Sequence, residues 1–251
     1  MSSRPVAEVR WAGAEPRLRL AYASRETHRR IRFGVRAIKD HAEEKVAMNL
    51  HVSWSFTPPP ETDSWSFRVL EVVPVRHAPD LPRDYFERFA DVAGTACSVN
   101  GVLAFVQSKG RSHVPPLAFV LDSVAVPCPA LAVGLGAIWE TSHKTDVDGS
   151  LTSHSLTCTL TSMEHGLLTI NLAGDCHETP GSSDLFREAM TRHLEGVVVL
   201  PDVFDGLPIR GQIGVNETWH LRHMPSETPP IRQMLLQVDF ETEVAAGSTN
   251  E

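Results

Sequence analysis

The sequence predicts a mainly β protein: long antiparallel strands in a curved sheet, a sandwich or a partly closed barrel, with one or two short helices. Three observations carry that prediction. Strict apolar–polar alternation is the dominant periodicity, several alternating runs pass ten residues, and turn dipeptides separate apolar runs. The clearest run is Val46 to Phe56, where Val46, Met48, Leu50, Val52, Trp54 and Phe56 alternate with Ala47, Asn49, His51, Ser53 and Ser55. A strand with a single apolar face needs something to cover it, and the predicted helices are too few to cover every such face.

In chain order, Leu18, Leu20 and Tyr22 open an N-terminal meander, and Ile31, Phe33 and Val35 alternate with Arg30, Arg32 and Arg36. The Val46 run follows. After Pro58-Pro59-Pro60, Trp65, Phe67 and Val69 begin a strand running toward His77. From Leu81 to Ala93, the spacing of Leu81, Tyr85, Phe86, Phe89 and Val92 predicts a helix, with Pro82 suited to its first turn. Asn100-Gly101 between apolar runs predicts a two-residue hairpin. Val114 to Val126 reads either as a short helix or as a buried loop.

The second half begins at Trp139. Asp148-Gly149 turns the chain, Leu156, Cys158 and Leu160 face inward, and Leu168, Ile170 and Leu172 answer them from a returning strand after a turn near His165. Ser182 to Leu194 is read as a helix and Val197 to Leu200 as a strand. A long strand then carries Ile209, Ile213, Val215, Trp219 and Leu221, and the last carries Met234, Leu236, Val238, Phe240 and Val244. Ala245 to Glu251 reads as a tail. The chain is expected to form one domain over residues 1–251. Two β halves, about 16–110 and 130–245, joined by a Pro-containing segment, are the alternative.

Composition narrows the function classes. With 31 acidic and 23 basic residues, the formal charge of −8 argues against a nucleic-acid partner, which would require phosphate neutralisation. No run approaches the ~18 to 20 apolar residues of a membrane helix, so no integral membrane insertion is expected. Met1 to Ala14 lack the basic and apolar regions of a secretory signal. The expected location is cytoplasmic as written, and the cell envelope if a leader has been removed. Four cysteines, Cys97, Cys128, Cys158 and Cys176, are too few for a disulfide scaffold. The hairpin around His165 puts Cys158 opposite about residue 172, which leaves Cys176 ~13 Å away along the strand, too far for a bridge. Free thiols follow.

The stretch Pro129 to Trp139, PALAVGLGAIW, has the form P-x-x-x-V-x-x-G-x-x-W ahead of a strand, a D-G turn and a Thr-rich strand. It resembles an uncharacterised group of bacterial β-rich proteins, many of them predicted envelope lipoproteins. The resemblance covers about residues 16–245 and brings no catalytic residue with it. This chain has no N-terminal lipidation cysteine of that group's kind. Gly136 and Trp139 read as structural residues, the first for a tight turn and the second for the core.

A search for chemistry returns little. His220 and His223 fall on opposite faces of a strand. Asp175, Cys176, His177 and Glu178 gather ligand types in one expected loop without the partner spacings of a zinc site. Asp146-Val147-Asp148-Gly149-Ser150 is like part of a calcium loop, but the twelfth position is Thr157. No nucleophile elbow or dinucleotide fingerprint is present. No catalytic residue, metal site or cofactor is therefore assigned.

The candidates for ligand binding are Glu217, Trp219 and Trp54. Glu217 lies on the otherwise apolar phase between Val215 and Trp219, where an unpaired carboxylate is costly. Either a β-bulge near Gly214 or the end of the strand accounts for the phase, the favoured reading, or Glu217 sits inside a cavity with a partner such as an arginine. Arg30, Arg32 and Arg36, with Lys45 across the hairpin, form a basic patch, read as a solvated face or as a surface for an anionic partner. The expected function is a non-catalytic β scaffold binding an apolar small molecule or a protein partner through an apolar sheet face. A structural or assembly component forming a homo-oligomer is the alternative, and a hydrolase ranks third.

Overall fold

The computed structural model describes residues 3–22, 27–39, 42–56, 64–74, 93–99, 102–109, 125–147, 150–181, 187–204, 207–221 and 233–241. Every regular element among these is a strand: β1 (Ser3–Trp11), β2 (Ala21–Tyr22), β3 (Thr27–Lys39), β4 (Ala42–Phe56), β5 (Ser64–Pro74), β6 (Ala93–Val99), β7 (Val102–Lys109), β8 (Ile138–Val147), β9 (Ser150–Glu164), β10 (Leu167–Thr179), β11 (Arg187–Pro201), β12 (Val203–Phe204), β13 (Arg210–Leu221) and β14 (Gln233–Glu241). They form two six-stranded antiparallel sheets, ordered β1-β8-β9-β10-β11-β13 and β14-β3-β4-β5-β6-β7, with β2 and β12 as a short parallel pair. Edge strands β13 and β14 lie alongside one another, and edge strand β1 approaches β6 and β7. No ladder among the described residues closes the structure.

Chain order and sheet membership cross twice. β1 pairs with β8, in the sheet built from the second half of the chain, and β14 pairs with β3, in the sheet built from the first half. The apolar phases explain the second pairing. Leu236 stands opposite Val35, Val238 opposite Phe33 and Phe240 opposite Ile31. The same phase continues onto β4, where Ile31 meets Leu50 and Phe33 meets Met48. A one-residue slip would set apolar against polar positions along the whole pair. Between β4 and β5 the register shifts so that Leu50 faces Val72 and Val52 faces Val69. This irregularity carries the apolar phase of β5 from odd residues (Trp65, Phe67, Val69) to even ones (Val72, Pro74).

In register, two positions of the expected basic patch stand opposite acidic residues. β14 places Asp239 opposite Arg32 and Glu241 opposite Arg30, and on the other side Lys45 lies opposite Arg36. Of the predicted N-terminal meander, β3, β4 and β5 form the sheet. Leu18 instead bridges Val133, and Ala21–Tyr22 pair with β12.

The expected helix over Ser182 to Leu194 is corrected. From Arg187 the chain is β11, paired with β10 on one side and β13 on the other. Met190 and Leu194, both buried, are four apart, a spacing that fits a helical face and is also a multiple of the strand period of two. Two neighbouring ladders decide the matter, and Val198 and Leu200 continue the buried even phase. The other expected helix, Leu81–Ala93, lies outside the described residues except for Ala93, which opens β6. Most of Val114–Val126 and the two turn dipeptides also lie outside them. The strands flanking those dipeptides pair as expected, Val99 with Val102 and Val147 with Ser150.

The described core belongs to the β1–β13 sheet. Trp139, Leu160, Ile170, Leu200 and Phe204 are its largest fully buried side chains. Where β9 turns into β10, His165 and Gly166 both have positive φ (53° and 75°), the pattern of a two-residue hairpin turn that matches the strand twist. That turn sets Cys158 opposite Leu172, and Cys128, Cys158 and Cys176 are free thiols.

The Pro129–Trp139 stretch closes one end of this core. Gly134 donates its N–H to Ala12 O at 2.8 Å, and Ala14 donates to Leu135 O at 2.8 Å. A Cβ on Gly134 would collide with the Ala14 carbonyl, so only glycine allows the two backbones to approach this closely. Gly136 has φ 81°, and Trp139 donates its indole N–H to Pro127 O at 3.0 Å.

Candidate functional site

The inner face of the β8–β13 sheet changes character along its length, and the register shows where. Strand alternation puts odd residues of β8 and β13 and even residues of β9, β10 and β11 on that face. Near the Trp139 end, one cross-strand row reads Trp139, Cys158, Leu172, Gly196, Ile213, and the next reads Thr141, Leu156, Gly174, Leu194, Val215. These rows are almost wholly apolar. The third row is His143, His154, Cys176, Arg192, Glu217, and the fourth is Thr145, Thr152, Glu178, Met190, Trp219. From the second row to the third, about 7 Å along the strands, a dry core gives way to imidazole, thiol, guanidinium and carboxylate.

A groove of about 590 Å³ runs along the opposite, outer face at the level of the third row, lined by Lys144, Ser155, Asp175, His177, Thr191 and His193 among others, with His154, Cys176 and Arg192 between them along the strands. His154 and Arg192 are half-buried, and Cys176 is 7% exposed. Cys176 Sγ lies 3.9 Å from His154 Nε2, within hydrogen-bond reach for sulfur. Arg192 also donates from Nη2 to Met190 Sδ at 3.8 Å, on the same face. The inner face at this row therefore sets a thiol between two groups able to carry positive charge.

The outer face of the same strands carries a second cluster. His193 stands directly opposite Asp175 in the ladder, with Nδ1 2.8 Å from Asp175 Oδ1 and Nε2 3.0 Å from Glu195 Oε1. As an imidazolium it donates to both carboxylates. The hydrogen bond to Glu195 and then that to Asp175 raise its pKa above the ordinary histidine value, against a smaller opposing effect of burial. By contrast, Cys158 sits fully buried near Cys128, and burial pushes its thiol far above the usual range.

Among the residues singled out from sequence, Glu217 and Trp219 fall on the third and fourth rows. The β11–β13 register runs without a shift from Arg210 to His220, so no bulge at Gly214 resets the phase of Glu217 in this ladder. Its cross-strand neighbour is an arginine, Arg192. Trp54 lies in the other sheet, opposite Thr27 and Phe67. His220 is exposed on β13. Asp175 to Glu178, expected in a loop, lie in β10, and alternation sends Cys176 and Glu178 to one face and Asp175 and His177 to the other. Among the described residues, no group of three or more His, Cys, Asp and Glu is placed to hold a metal ion.

Sequence reasoning missed His154, Cys176 and Arg192 as a group. The signal was present in the hairpin count: a turn that sets Cys158 opposite Leu172 also sets His154 opposite Cys176, two rows further on. Arg192 could not be added because its segment was read as helix. No protein-family model, curated protein sequence or solved structure matches this chain.

Proposed function

We propose that the protein is a β scaffold that binds a small, largely apolar molecule with one polar end along the inner face of the β8–β13 strands, at the step from the Leu156–Leu194–Val215 row to the His154–Cys176–Arg192 row. The observation that carries this reading is the abrupt change of the inner face at that step. Small-molecule sites typically combine apolar walls with a few convergent polar groups. His154 and Arg192 supply the polar groups, and the apolar row of Leu156, Leu194 and Val215 borders them on the side of the core. The ligand's polar end would sit at Arg192 and its apolar body would run toward that row.

The test is titration of the protein with 1-anilinonaphthalene-8-sulfonate, an apolar probe with an anionic group, followed by displacement with dodecanoate. We expect saturable one-to-one binding that dodecanoate reverses, weakened at least tenfold in Arg192→Ala. No saturable binding, or binding indifferent to Arg192→Ala in a variant that retains its fold, overturns the proposal. Native mass spectrometry on the same sample would reveal a protein partner surface or a homo-oligomer in its place.

A further inference from the structure

We propose that the outer face of the β8–β13 strands is a binding site for a neutral oligosaccharide, which lies along two adjoining grooves on the side opposite the inner-face ligand. The first groove, of about 590 Å³, crosses all five strands, and the second, of about 550 Å³, is lined by β10, β11 and β13. Strand alternation and register make them neighbours. Asp175, His193 and Asn216 of the first groove form one cross-strand row, and the next outer-face row on the same strands is Ala173, Glu195 and Gly214 of the second. Five strands at a spacing of ~4.8 Å make the first groove about 19 Å across, the reach of a short oligosaccharide and more than a single sugar needs.

Chemistry and charge select the occupant. The first groove is lined by the hydroxyls of Ser142, Ser153, Ser155, Thr191 and Thr218 and by the Asn216 amide, groups that both donate and accept and so suit sugar hydroxyls. The acids lining the two grooves, Asp175 and Glu195, are both held by His193, at 2.8 and 3.0 Å. With His177 neutral, Lys144 and the His193 imidazolium balance these two acids in formal charge, which gives a small anion or cation little to prefer. His193 engages one oxygen of each carboxylate, and both carboxylates are largely exposed. The second oxygen of each is an acceptor, fixed in place by the imidazole, for a sugar hydroxyl, and such charge-assisted hydrogen bonds are the stronger kind. Sugars also present C–H faces. The second groove meets them with Val197, 45% exposed, and with Ala173 one row away, small apolar surface that gains by leaving water.

The experiment is saturation-transfer difference NMR on the folded chain with maltotetraose, cellotetraose, xylotetraose and tetra-N-acetylchitotetraose, followed by calorimetric titration of each one that binds. We expect saturable binding of at least one, weakened at least tenfold in Asp175→Asn and in Glu195→Gln, and unchanged in Glu164→Gln, whose exposed carboxylate lies at the far end of the β9–β10 hairpin. Excess dodecanoate should leave the sugar in place, because the two ligands use opposite faces. The proposal is overturned if none of the four tetrasaccharides binds, if either Asp175→Asn or Glu195→Gln, shown to be folded by circular dichroism, binds as the wild type does, or if dodecanoate displaces the sugar. Failure of the inner-face titration leaves the sugar titration readable by itself.

Discussion

Replacing Trp139 tests how the Pro129–Trp139 segment closes the core. The indole is fully buried and donates to Pro127 O at 3.0 Å, and Pro127 is itself buried. Truncation to alanine removes a large apolar body and leaves a cavity, at a usual cost of about 3 to 5 kcal/mol for a core aromatic. Phenylalanine keeps most of the ring but not the donor. Leaving the Pro127 carbonyl without that bond should cost about 1 to 3 kcal/mol. Urea unfolding followed by circular dichroism measures both, provided that the slope with denaturant stays constant, so that midpoint shifts report stability. The expected order is wild type, then Trp139→Phe, then Trp139→Ala. A loss under about 1 kcal/mol for the alanine variant, well short of the core range, would refute the reasoning, because the side chain would then have little to lose by leaving its site.

The collision of a Gly134 Cβ with the Ala14 carbonyl predicts that Gly134→Ala destabilises by about 1 to 3 kcal/mol, the range for overpacking, and a urea midpoint equal to wild type would show that the backbones can part freely. The His193 clamp predicts a pH effect. Its folded pKa is raised, so its contribution is fully present below the ordinary histidine value and is lost as pH rises through the folded pKa. Unfolding midpoints at about pH 5.5 and pH 8.5, which bracket the ordinary histidine titration, should therefore differ more in wild type than in His193→Gln, with the wild type gaining at the acid end. Equal pH dependence in the two proteins would remove the clamp from the explanation.

The long strands were legible because their chemistry is local. Alternation in Val46–Phe56 and around Cys158 and Leu172 marks both the strand and its buried face, and the turn at His165-Gly166 fixes one register. Two things were not local. The segment around Met190 and Leu194 has a four-residue spacing that serves a helix or a strand equally, and its state is set by ladders to β10 and β13, which a window on the sequence does not contain. The exchange of β1 and β14 between the sheets is likewise a matter of long-range pairing. Glu217 was singled out as a carboxylate on an apolar phase, but the favoured bulge is absent from the β11–β13 ladder and the residue opposite it, Arg192, is 25 residues away in sequence.

The candidate site follows from that same non-locality. Each residue of the third row is unremarkable within its own strand: His154 lies among serines and threonines, Cys176 and Arg192 follow ordinary alternation, and no pair of them fits a sequence motif. Five strands at a common register turn them into a single line of imidazole, thiol, guanidinium and carboxylate. Cross-strand neighbours sit ~5 Å apart, so a sheet brings together groups from separate stretches of chain as effectively as a helix brings together residues four apart. Burying such groups costs free energy unless they are paired, and a scaffold stabilised by apolar burial alone would have continued the pattern of Leu156, Leu194 and Val215 for another row. The polar row is tolerable because Cys176 lies within hydrogen-bond reach of His154, because Arg192 stands opposite Glu217 in the ladder, and because His154 and Arg192 keep partial exposure. The boundary between that row and the dry core is where a ligand with both characters gains most, since its apolar part leaves water on one side while its polar part keeps its hydrogen bonds on the other.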